Sequence, residues 1–523
     1  MITYNLNNNG MFGGYMVSKV NCCAITGTEV LPICVETDVC SGLPSFDMVG
    51  LLSSEIKESR ERVRTAIKNS GFMIPPRRIT INLAPADIRK SGTYFDLPIS
   101  ASILKALDIV KQDVSKFMIA GELSLNGDVI KVNGILPMVL MAVSKEIKVC
   151  IIPEENYGEC VAIEGIEIIG VKNLAELVYV LDMNPDELSE EILRQKANFE
   201  EKKIQEEIEE SYDFADICGQ EQGKIGAMIA AAGRHNMLMV GPPGAGKTVI
   251  ARTIPTILPD MTFEERIQIS KIHSIAGKLD GRLVDKRPFC SPHHTTTVTG
   301  MTGGGMKPKV GQVTLAHGGV LYLDEFPEFS RNVIEALRQP LEDKKIVLSR
   351  NSGSYEFPAD VILIASMNPC KCGYYPDRNR CSCTQREVNK YLSKISGPIL
   401  DRFDLCVYLN RVEYKDIKKS EKTSEKMKER VIAAAQIQRE RYKNETVSYN
   451  GQLDGRNIKE FCKLNKPEEE LMEQIFNKFK LSMRAYGKVL KVARTIADLD
   501  ERKNVSKGDI SKALTFRTPA WMK

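Results

Sequence analysis

A glycine-rich loop between an apolar run and a helix-forming run is the feature that most constrains this chain of 523 residues. The run NMLMV precedes the loop and VIARTI follows Lys247 and Thr248. Glycines let backbone N–H groups close around phosphate oxygens, and the N-terminus of the following helix adds partial positive charge. The pattern therefore predicts a P-loop, with Lys247 at the β- and γ-phosphates and Thr248 on Mg²⁺. A glycine-rich turn without phosphate is the alternative, and the Lys-Thr pair in register argues against it. The predicted nucleotide contacts are Gly241, Pro242, Pro243, Gly244, Ala245, Gly246, Lys247, Thr248 and Val249.

Two adjacent acids end a second apolar run. The sequence GVLYLDE places Asp324 and Glu325 directly after this run. Buried strands seldom end in neighbouring carboxylates unless a cation meets them. We expect Asp324 to hold Mg²⁺ through its water shell and Glu325 to orient and polarise the water that attacks ATP.

An asparagine follows a third apolar run, VILIASM. We expect Asn368 to position the attacking water from the side opposite Glu325. Asn-Pro commonly opens a turn, so the asparagine alone is a weak signal. It gains weight because it follows two runs that already end in phosphate and metal ligands.

Two arginines complete the predicted catalytic set. Arg402, in GPILDRFDL, lies beyond the third run and is expected to reach the γ-phosphate of a neighbouring subunit. Arg484, in LSMRAYGKVL, is expected to reach the nucleotide from a helical region. An arginine beside an aspartate more often forms a local ion pair, and spacing alone favours that alternative for Arg402.

Four of the fourteen cysteines are crowded into one loop. Cys370, Cys372, Cys381 and Cys383 form two Cys-x-Cys arms around GYYPDRNR. Four thiolates in one loop fit a tetrahedral Zn²⁺, although these arms are tighter than the commoner Cys-x-x-Cys. Free thiols and a redox pair are the alternatives, and a reducing compartment argues against a disulfide. We therefore predict a structural zinc.

Composition and charge define the broader class of protein. With 43% hydrophobic and 27% charged residues, the chain resembles an ordinary globular protein, and its length implies several domains. It has no apolar run long enough to cross a bilayer and no basic leader, so we expect a cytoplasmic protein without membrane partners. The net charge is only +4, but residues 411–523 hold 27 Lys and Arg against 17 Asp and Glu. This local excess is compatible with phosphate backbones, and equally with a solvated helical surface.

The order of apolar and charged runs predicts an α/β multidomain chain. We expect a disordered extension at 1–15 and an α/β domain at 16–183, with strands at Ile79–Ala84, Val149–Pro153 and Ile166–Val171. The charged stretch 184–211 is predicted to be a linker, in part helical. Residues 212–410 are predicted to form the nucleotide-binding core with the cysteine cluster, and 411–523 a helical lid.

These motifs, in this order, resemble the ComM/YifB family of magnesium-chelatase-like AAA+ ATPases over nearly the whole chain. The phrases that carry the resemblance include KESRERVRTAIKNSGF, PPRRITINLAPADIRKSG, PFCSPHHT, GGVLYLDEFPEF, ALRQPLED, MNPCKCGY and SGPILDRFDL. The resemblance implies ATP and Mg²⁺ as cofactors and a homohexameric ring with ATP sites between subunits. It identifies Asn368 as sensor 1, Arg402 as the trans-acting arginine finger and Arg484 as sensor 2, with Arg494 as a lower-ranked candidate for sensor 2.

The N-terminal domain resembles the C-terminal domain of Lon protease through the string IAGELSLNGDVIKVNGILPMVLMAV. The positions that match the Ser–Lys dyad of Lon fall near Tyr94 and at Pro137. Neither residue supplies a nucleophile or a base, so we do not expect proteolysis. A ring-forming or DNA-contacting scaffold is expected instead.

The family resemblance implies ATP-driven translocation or branch migration on single-stranded or branched DNA, during recombination or natural transformation. Lys286–Gln312 would then be a hairpin facing the ring pore, with Lys307 and Lys309 as phosphate contacts. Its His293 and His294 are assigned to pore lining or packing rather than to a metal. The alternative is a chelatase-like ATPase subunit that remodels a protein partner, against which the fused N-terminal domain and the cysteine cluster argue.

Overall fold

The computed structural model describes residues 17–203, 212–305, 309–350, 353–412 and 423–517. These residues divide into two compact units. The first contains the described residues up to 203 together with Ser270–Leu283, and the second contains the described residues of Glu209–Ile269 and Val284–Lys523. The predicted extension 1–15 and Lys307 lie outside the described residues.

A seven-stranded mixed sheet forms the base of the first unit. The strands of this unit, which also include a separate pair, are β1 (Ser18–Thr26), β2 (Glu29–Cys40), β3 (Ser45–Val49), β4 (Arg78–Ala84), β5 (Phe117–Ile119), β6 (Glu122–Leu123), β7 (Val129–Ile130), β8 (Val149–Pro153) and β9 (Glu167–Val171). The sheet order is β3-β4-β2-β1-β5-β8-β9, and β6 pairs separately with β7. β2 is antiparallel to both of its neighbours, whereas the run from β1 to β9 is parallel. The three strands predicted from sequence are confirmed as β4, β8 and β9.

The helices of the first unit pack their apolar sides inward. They are α1 (Ser54–Asn69), α2 (Asp96–Ala106), α3 (Ile135–Ser144), α4 (Tyr157–Cys160), α5 (Leu174–Asp182) and α6 (Pro185–Lys203). α1 buries Ile56, Val63 and Ile67 on one face, as its helical spacing requires. α2 is buried along most of its length and contacts β1 and β2.

The predicted linker is a helix that belongs to the first unit. In α6 the Gln195 amide donates to the carbonyl of Gly170 at 3.0 Å and accepts from the N–H of the same residue at 2.8 Å. The Phe199 ring lies 5.7 Å from the ring of Tyr157. The half-buried face of α6 includes Leu188, Ile192, Gln195 and Phe199 at helical spacing, and the many charged residues around it led to the prediction of a linker.

A segment within the predicted nucleotide-binding core also belongs to the first unit. Within Ser270–Leu283, Ser274 Oγ donates to Glu159 Oε2 at 2.8 Å, and the carbonyl of Leu279 accepts from Lys131 Nζ at 2.9 Å. The structural division therefore differs from the predicted boundaries at 183 and 211.

The second unit contains a five-stranded parallel sheet. The strands of this sheet are β10 (Met237–Val240), β11 (Phe289–Cys290), β12 (Val320–Leu323), β15 (Ile362–Met367) and β16 (Leu405–Tyr408), and a separate antiparallel pair is formed by β13 (Lys345–Arg350) and β14 (Gly353–Pro358). The sheet order is β11-β12-β15-β10-β16. β10, β12 and β15 are completely buried, which explains their continuous apolar sequences. Because all five strands are parallel, the ends of β10, β12 and β15 meet at one edge.

Helices surround this sheet and continue to residue 515. They are α7 (Glu221–Gly233), α8 (Lys247–Thr253), α9 (Phe263–Ile275), α10 (Val298–Thr302), α11 (Gln312–Leu315), α12 (Arg331–Ala336), α13 (Arg338–Asp343), α14 (Gln385–Leu392), α15 (Gly397–Leu400), α16 (Ser424–Arg441), α17 (Gly455–Phe461), α18 (Lys466–Phe479), α19 (Met483–Leu499) and α20 (Lys507–Thr515). α9 continues past Ile269 into the first unit. The predicted C-terminal helical region is confirmed. Its α16 and α19 pack on α7, so it shares one apolar core with the sheet domain. No helix formed by the described residues has the length and apolarity needed to cross a membrane.

Residues 306–308 of the predicted pore hairpin Lys286–Gln312 lie outside the described residues, and the pore-facing role stays a prediction. The described residues of this segment include β11, α10 and an antiparallel bridge between Gly304 and Lys309. Thr297 caps α10 by accepting from the N–H of Gly300 at 3.1 Å, so the Thr-rich stretch begins a helix. A two-stranded antiparallel ribbon of this unit, β13–β14, precedes β15.

Candidate nucleotide site

The glycine-rich loop connects β10 to α8 at the carboxyl edge of the parallel sheet. Gly244 and Gly246 have φ angles of 76° and 82°. A Cβ at either position would meet no atom within 4 Å. The glycines are therefore required by the left-handed backbone rather than by lack of space. The strand–loop–helix context predicted from sequence is present.

Lys247 lies at the centre of the loop. Its Nζ donates to the carbonyls of Gly241 at 2.7 Å and Pro242 at 3.0 Å, and to Asn368 Oδ1 at 3.0 Å. Burial lowers the pKa of Lys247, an effect that the nearby carboxylates oppose. The P-loop lysine and the asparagine after β15 are thus in direct contact.

Asp324 is fixed by three surrounding hydroxyl groups. Thr248 Oγ1 donates to Asp324 Oδ2 at 2.9 Å, and Ser366 Oγ donates to Asp324 Oδ1. The Tyr322 hydroxyl lies 3.1 Å from Ser366 Oγ and 3.3 Å from Thr248 Oγ1. Burial raises the pKa of Asp324, but the donated hydrogen bonds outweigh it and leave the pKa below its usual range. The carboxylate therefore stays ionised, as a Mg²⁺ site requires.

Sequence reasoning missed Ser366 and Tyr322. Both are completely buried, and each is the polar member of an otherwise apolar strand. That pattern was the available signal, since a buried hydroxyl needs a hydrogen-bond partner. Their joint role is to orient Asp324 and Thr248.

Glu325 adopts a left-handed backbone with φ of 50° directly after β12 and Asp324. Its N–H donates to Asp324 Oδ1 at 2.9 Å, and its side chain is 61% exposed. His294 Nδ1 lies 3.7 Å from Glu325 Oε2, and the rings of His293 and His294 lie 4.1 Å apart. The arrangement keeps one acid at the metal position and leaves the second accessible to water.

The four clustered cysteines bring their sulfur atoms together. All four Sγ atoms lie within 4.8 Å of one another. The Sγ–Sγ distances are 3.3 Å between Cys370 and Cys372, 3.8 Å between Cys370 and Cys381, and 3.6 Å between Cys372 and Cys381. Four thiolates around a tetrahedral Zn²⁺, with Zn–S bonds of about 2.3 Å, lie roughly 3.8 Å apart. The donor set and its spacing therefore fit zinc.

The cysteine loop packs against the P-loop at Gly373. This residue has a φ of 89°, and a Cβ there would lie 2.6 Å from Cδ of Pro243 and 3.9 Å from Cγ of Asn368. The segment that carries the thiols thus supports both the nucleotide loop and the asparagine after β15.

Arg402 and Arg484 lie at the opposite edge of the sheet. Both line a cavity of about 1020 Å³ together with Asn236, Asp360 and Asp404, which lie just before β10, β15 and β16. A four-residue strand separates this edge from the P-loop by about 13 Å. The expectation that Arg484 reaches a nucleotide from the helical region is therefore not met within its own chain. The structure brings Arg484 to Arg402 instead.

The two arginines differ in how firmly they are held. Arg402 Nη2 pairs with Glu342 Oε1, while its buried Nε has no hydrogen-bond partner in the described part of the chain. Burial lowers the pKa of Arg402, and the charges of Arg484 and Arg338 lower it further. Arg484 is 71% exposed and lies 4.0 Å from Asp401. This concentration of positive charge suits an anion.

Arg494, the lower-ranked sensor 2 candidate, is buried in a structural ion pair. It is 3% exposed, and its Nη2 and Nε lie 2.9 Å and 3.1 Å from Asp498 Oδ1. It also donates to the carbonyls of Lys503 at 2.8 Å and Arg502 at 2.5 Å. Arg494 therefore fixes the turn between α19 and α20.

The positions matched to the Lon dyad are structural in the first unit. The buried Tyr94 hydroxyl accepts from the N–H of Ile25 at 3.1 Å, and burial raises the pKa of Tyr94. Pro137 lies buried in α3. Neither position offers a nucleophile or a general base.

Comparison with known protein families finds three matches along this chain. Residues 213–417 match "Magnesium chelatase, subunit ChlI", residues 35–156 match "Subunit ChlI of Mg-chelatase", and residues 421–517 match "Magnesium chelatase, subunit ChlI C-terminal". Together these ranges reach into both structural units and include the C-terminal helices.

Full-length relatives are also similar. Competence protein ComM of Haemophilus influenzae is 37% identical over 501 residues, which cover 94% of this chain and 96% of the relative. The uncharacterised protein YifB of Escherichia coli is 37% identical over 511 residues, covering 96% and 97%. Lon protease 2 of Bacillus subtilis is 31% identical over 144 residues, 26% of each chain.

Proposed function

The chain belongs to the ComM/YifB family of magnesium-chelatase-like AAA+ ATPases, and from that premise we propose a ring-shaped motor that couples ATP hydrolysis to movement on DNA. The movement is translocation or branch migration during recombination or natural transformation. ATP hydrolysis with Mg²⁺ follows from the family. The ring and the DNA track are the proposed parts.

The placement of charged residues at two edges of one sheet supports the ring. Lys247, Asp324 and Asn368 gather at the carboxyl edge, whereas Arg402 and Arg484 line the cavity at the amino edge. A nucleotide at one P-loop therefore needs arginines from a second copy to neutralise its γ-phosphate. A closed ring, in the family a hexamer, supplies every site with such a neighbour.

The contacts support the following catalytic roles. Lys247 would bind the β- and γ-phosphates, and Thr248 and Asp324 would hold Mg²⁺, which would supply charge neutralisation at the phosphates. Glu325 would polarise the attacking water, and Asn368 would orient it from the end of β15. Arg402 stabilises the charge that develops on the γ-phosphate of the neighbouring subunit.

A subunit-mixing assay tests the shared site. Arg402→Ala retains its own P-loop, and Lys247→Ala retains its own Arg402, so each variant alone should be inactive while a mixture regains ATPase activity. Absence of recovery, with both variants assembled into rings, would refute a trans-acting Arg402.

DNA is the proposed track for two reasons. The relative from H. influenzae is a competence protein by name. Residues 411–523 carry 27 Lys and Arg against 17 Asp and Glu, a charge excess that is compatible with a phosphate backbone. We expect single-stranded or branched DNA to raise the ATPase rate, with an effect that declines as salt increases. An ATPase rate indifferent to single strands, forks and four-way junctions would favour remodelling of a protein partner instead.

We also infer that Cys370, Cys372, Cys381 and Cys383 bind a structural zinc. The support is the clustering of four thiols beside the P-loop. Metal analysis of the purified protein should find about one zinc per chain, and Cys381→Ser should lower both zinc content and nucleotide affinity. Four freely titrating thiols in metal-free protein with normal nucleotide affinity would refute the site.

A further inference from the structure

Asn236 joins three backbone segments at the amino edge of the sheet. Its Nδ2 donates to the carbonyl of Arg402 at 3.0 Å, and its Oδ1 accepts from the N–H of Leu363 at 2.8 Å. Its own carbonyl accepts from the N–H groups of Asp404 at 3.0 Å and Leu405 at 3.1 Å. One residue thus fixes the backbone on both sides of position 403.

We propose that Asn236 is a positioning residue for Arg402, an inference that rests on the trans-acting role of Arg402. Asn236 directly precedes β10, which leads into the P-loop, and Leu363 lies in β15, which leads to Asn368. The side-chain amide therefore ties the Arg402 backbone to the two strands that carry the nucleotide contacts of the same chain. Asn236 itself touches no nucleotide in this scheme.

Further anchors of this loop come from different elements. Lys488 Nζ donates to the carbonyl of Phe403 at 2.9 Å, and Lys491 Nζ lies 3.3 Å from Asp404 Oδ1, so α19 holds the loop from the C-terminal helices. His235 Nδ1 lies 2.9 Å from Asp404 Oδ2. These contacts hold Phe403 and Asp404, whereas the Asn236 amide donates to the carbonyl of Arg402 itself.

The expected effect on catalysis follows from how precisely the guanidinium of Arg402 must be placed. A guanidinium that must meet a phosphate on another subunit is placed by its backbone, and a displacement of about 1 Å can cost about 100-fold in rate. Loss of the amide should therefore lower turnover by about 10- to 100-fold, less than loss of the guanidinium itself. Nucleotide binding at the subunit's own P-loop should remain normal.

Two substitutions separate positioning from general stability. Asn236→Ala removes both side-chain hydrogen bonds, whereas Asn236→Asp keeps an acceptor for Leu363 and loses the donor to Arg402. Gln438→Ala is the matched control, because Gln438 is also a buried amide that accepts from one N–H, that of Asn450 at 2.8 Å, and donates to backbone carbonyls, those of Ala232 at 3.0 Å and Ala434 at 3.2 Å. None of these three partners belongs to the Arg402 loop.

The test measures fluorescent-ATP affinity, ATPase turnover and recovery on mixing with Lys247→Ala subunits. Asn236→Ala and Asn236→Asp should bind nucleotide normally, turn over slowly alone and recover when Lys247→Ala subunits supply an undisturbed Arg402. Gln438→Ala should keep its turnover. If Arg402→Ala recovers on mixing and the Asn236 variants do not, or if folded Asn236→Asp turns over at the wild-type rate, the inference is overturned. If Arg402→Ala itself fails to recover, the trans-acting finger is refuted instead.

Discussion

Replacing Arg494 by Met should destabilise the second unit without acting on catalysis directly. Arg494 is 3% exposed, and its partner Asp498 is completely buried. Removing one partner of a buried ion pair costs about 3–5 kcal/mol, because the remaining charge loses its compensation. Arg441 also pairs with Asp498, at 2.5 Å, so the lower end, about 3 kcal/mol, is expected.

Urea unfolding followed by far-UV circular dichroism measures this loss. Arg484→Met is the matched control on the same helix, since Arg484 is 71% exposed and should change stability by less than about 1 kcal/mol. Arg494→Met should lose stability, whereas Arg484→Met should fold normally and lose ATPase activity. Wild-type stability together with lost ATPase activity in Arg494→Met would restore that residue as sensor 2 and refute this reasoning.

Two further predictions concern the acid after β12 and a buried histidine. Glu325→Gln should bind ATP normally and lower the hydrolysis rate by about 100-fold or more, because an amide cannot polarise water as a carboxylate does; equal turnover in a steady-state assay would contradict this role. His317 accepts a hydrogen bond from the N–H of Asp360 at 3.1 Å, and burial lowers its pKa from 6.5 to about 4. Between pH 6.5 and 4 the imidazole of His317 is protonated in the unfolded chain but not in the folded chain. The free energy of unfolding should therefore fall as the pH drops from 6.5 towards 4, and it should fall less steeply in His317→Gln. Urea midpoints at several pH values measure the difference, and parallel curves for both proteins would exclude His317 as a cause.

The sequence predicts those strands and site residues for which a continuous apolar run is followed by a functional motif. Continuous apolar runs predicted β10, β12 and β15, because central parallel strands are buried on both faces. Lys247, Asp324 and Asn368 each follow such a run, and the structure brings them together at the carboxyl edge.

The parts that sequence could not predict depend on long-range geometry. The hydrogen bonds of Ser366 with Asp324 join neighbouring strands that are 42 residues apart in the chain. Arg484 and Arg494 occupy one helix, and nothing in their motifs told which edge of the sheet that helix faces. In the structure Arg494 lies within the buried run Val492–Leu499, whereas Arg484 lies in the first turn of α19 and is exposed.

The close approach of Gly373 to Pro243 couples the nucleotide loop to the proposed zinc site at a single position. Any side chain there would push the thiol loop and the phosphate loop apart, and it would also strain a backbone that L-residues rarely adopt. Genetic screens for lost metal and screens for lost nucleotide should therefore select the same codon, although Gly373 contributes no atom to either coordination sphere.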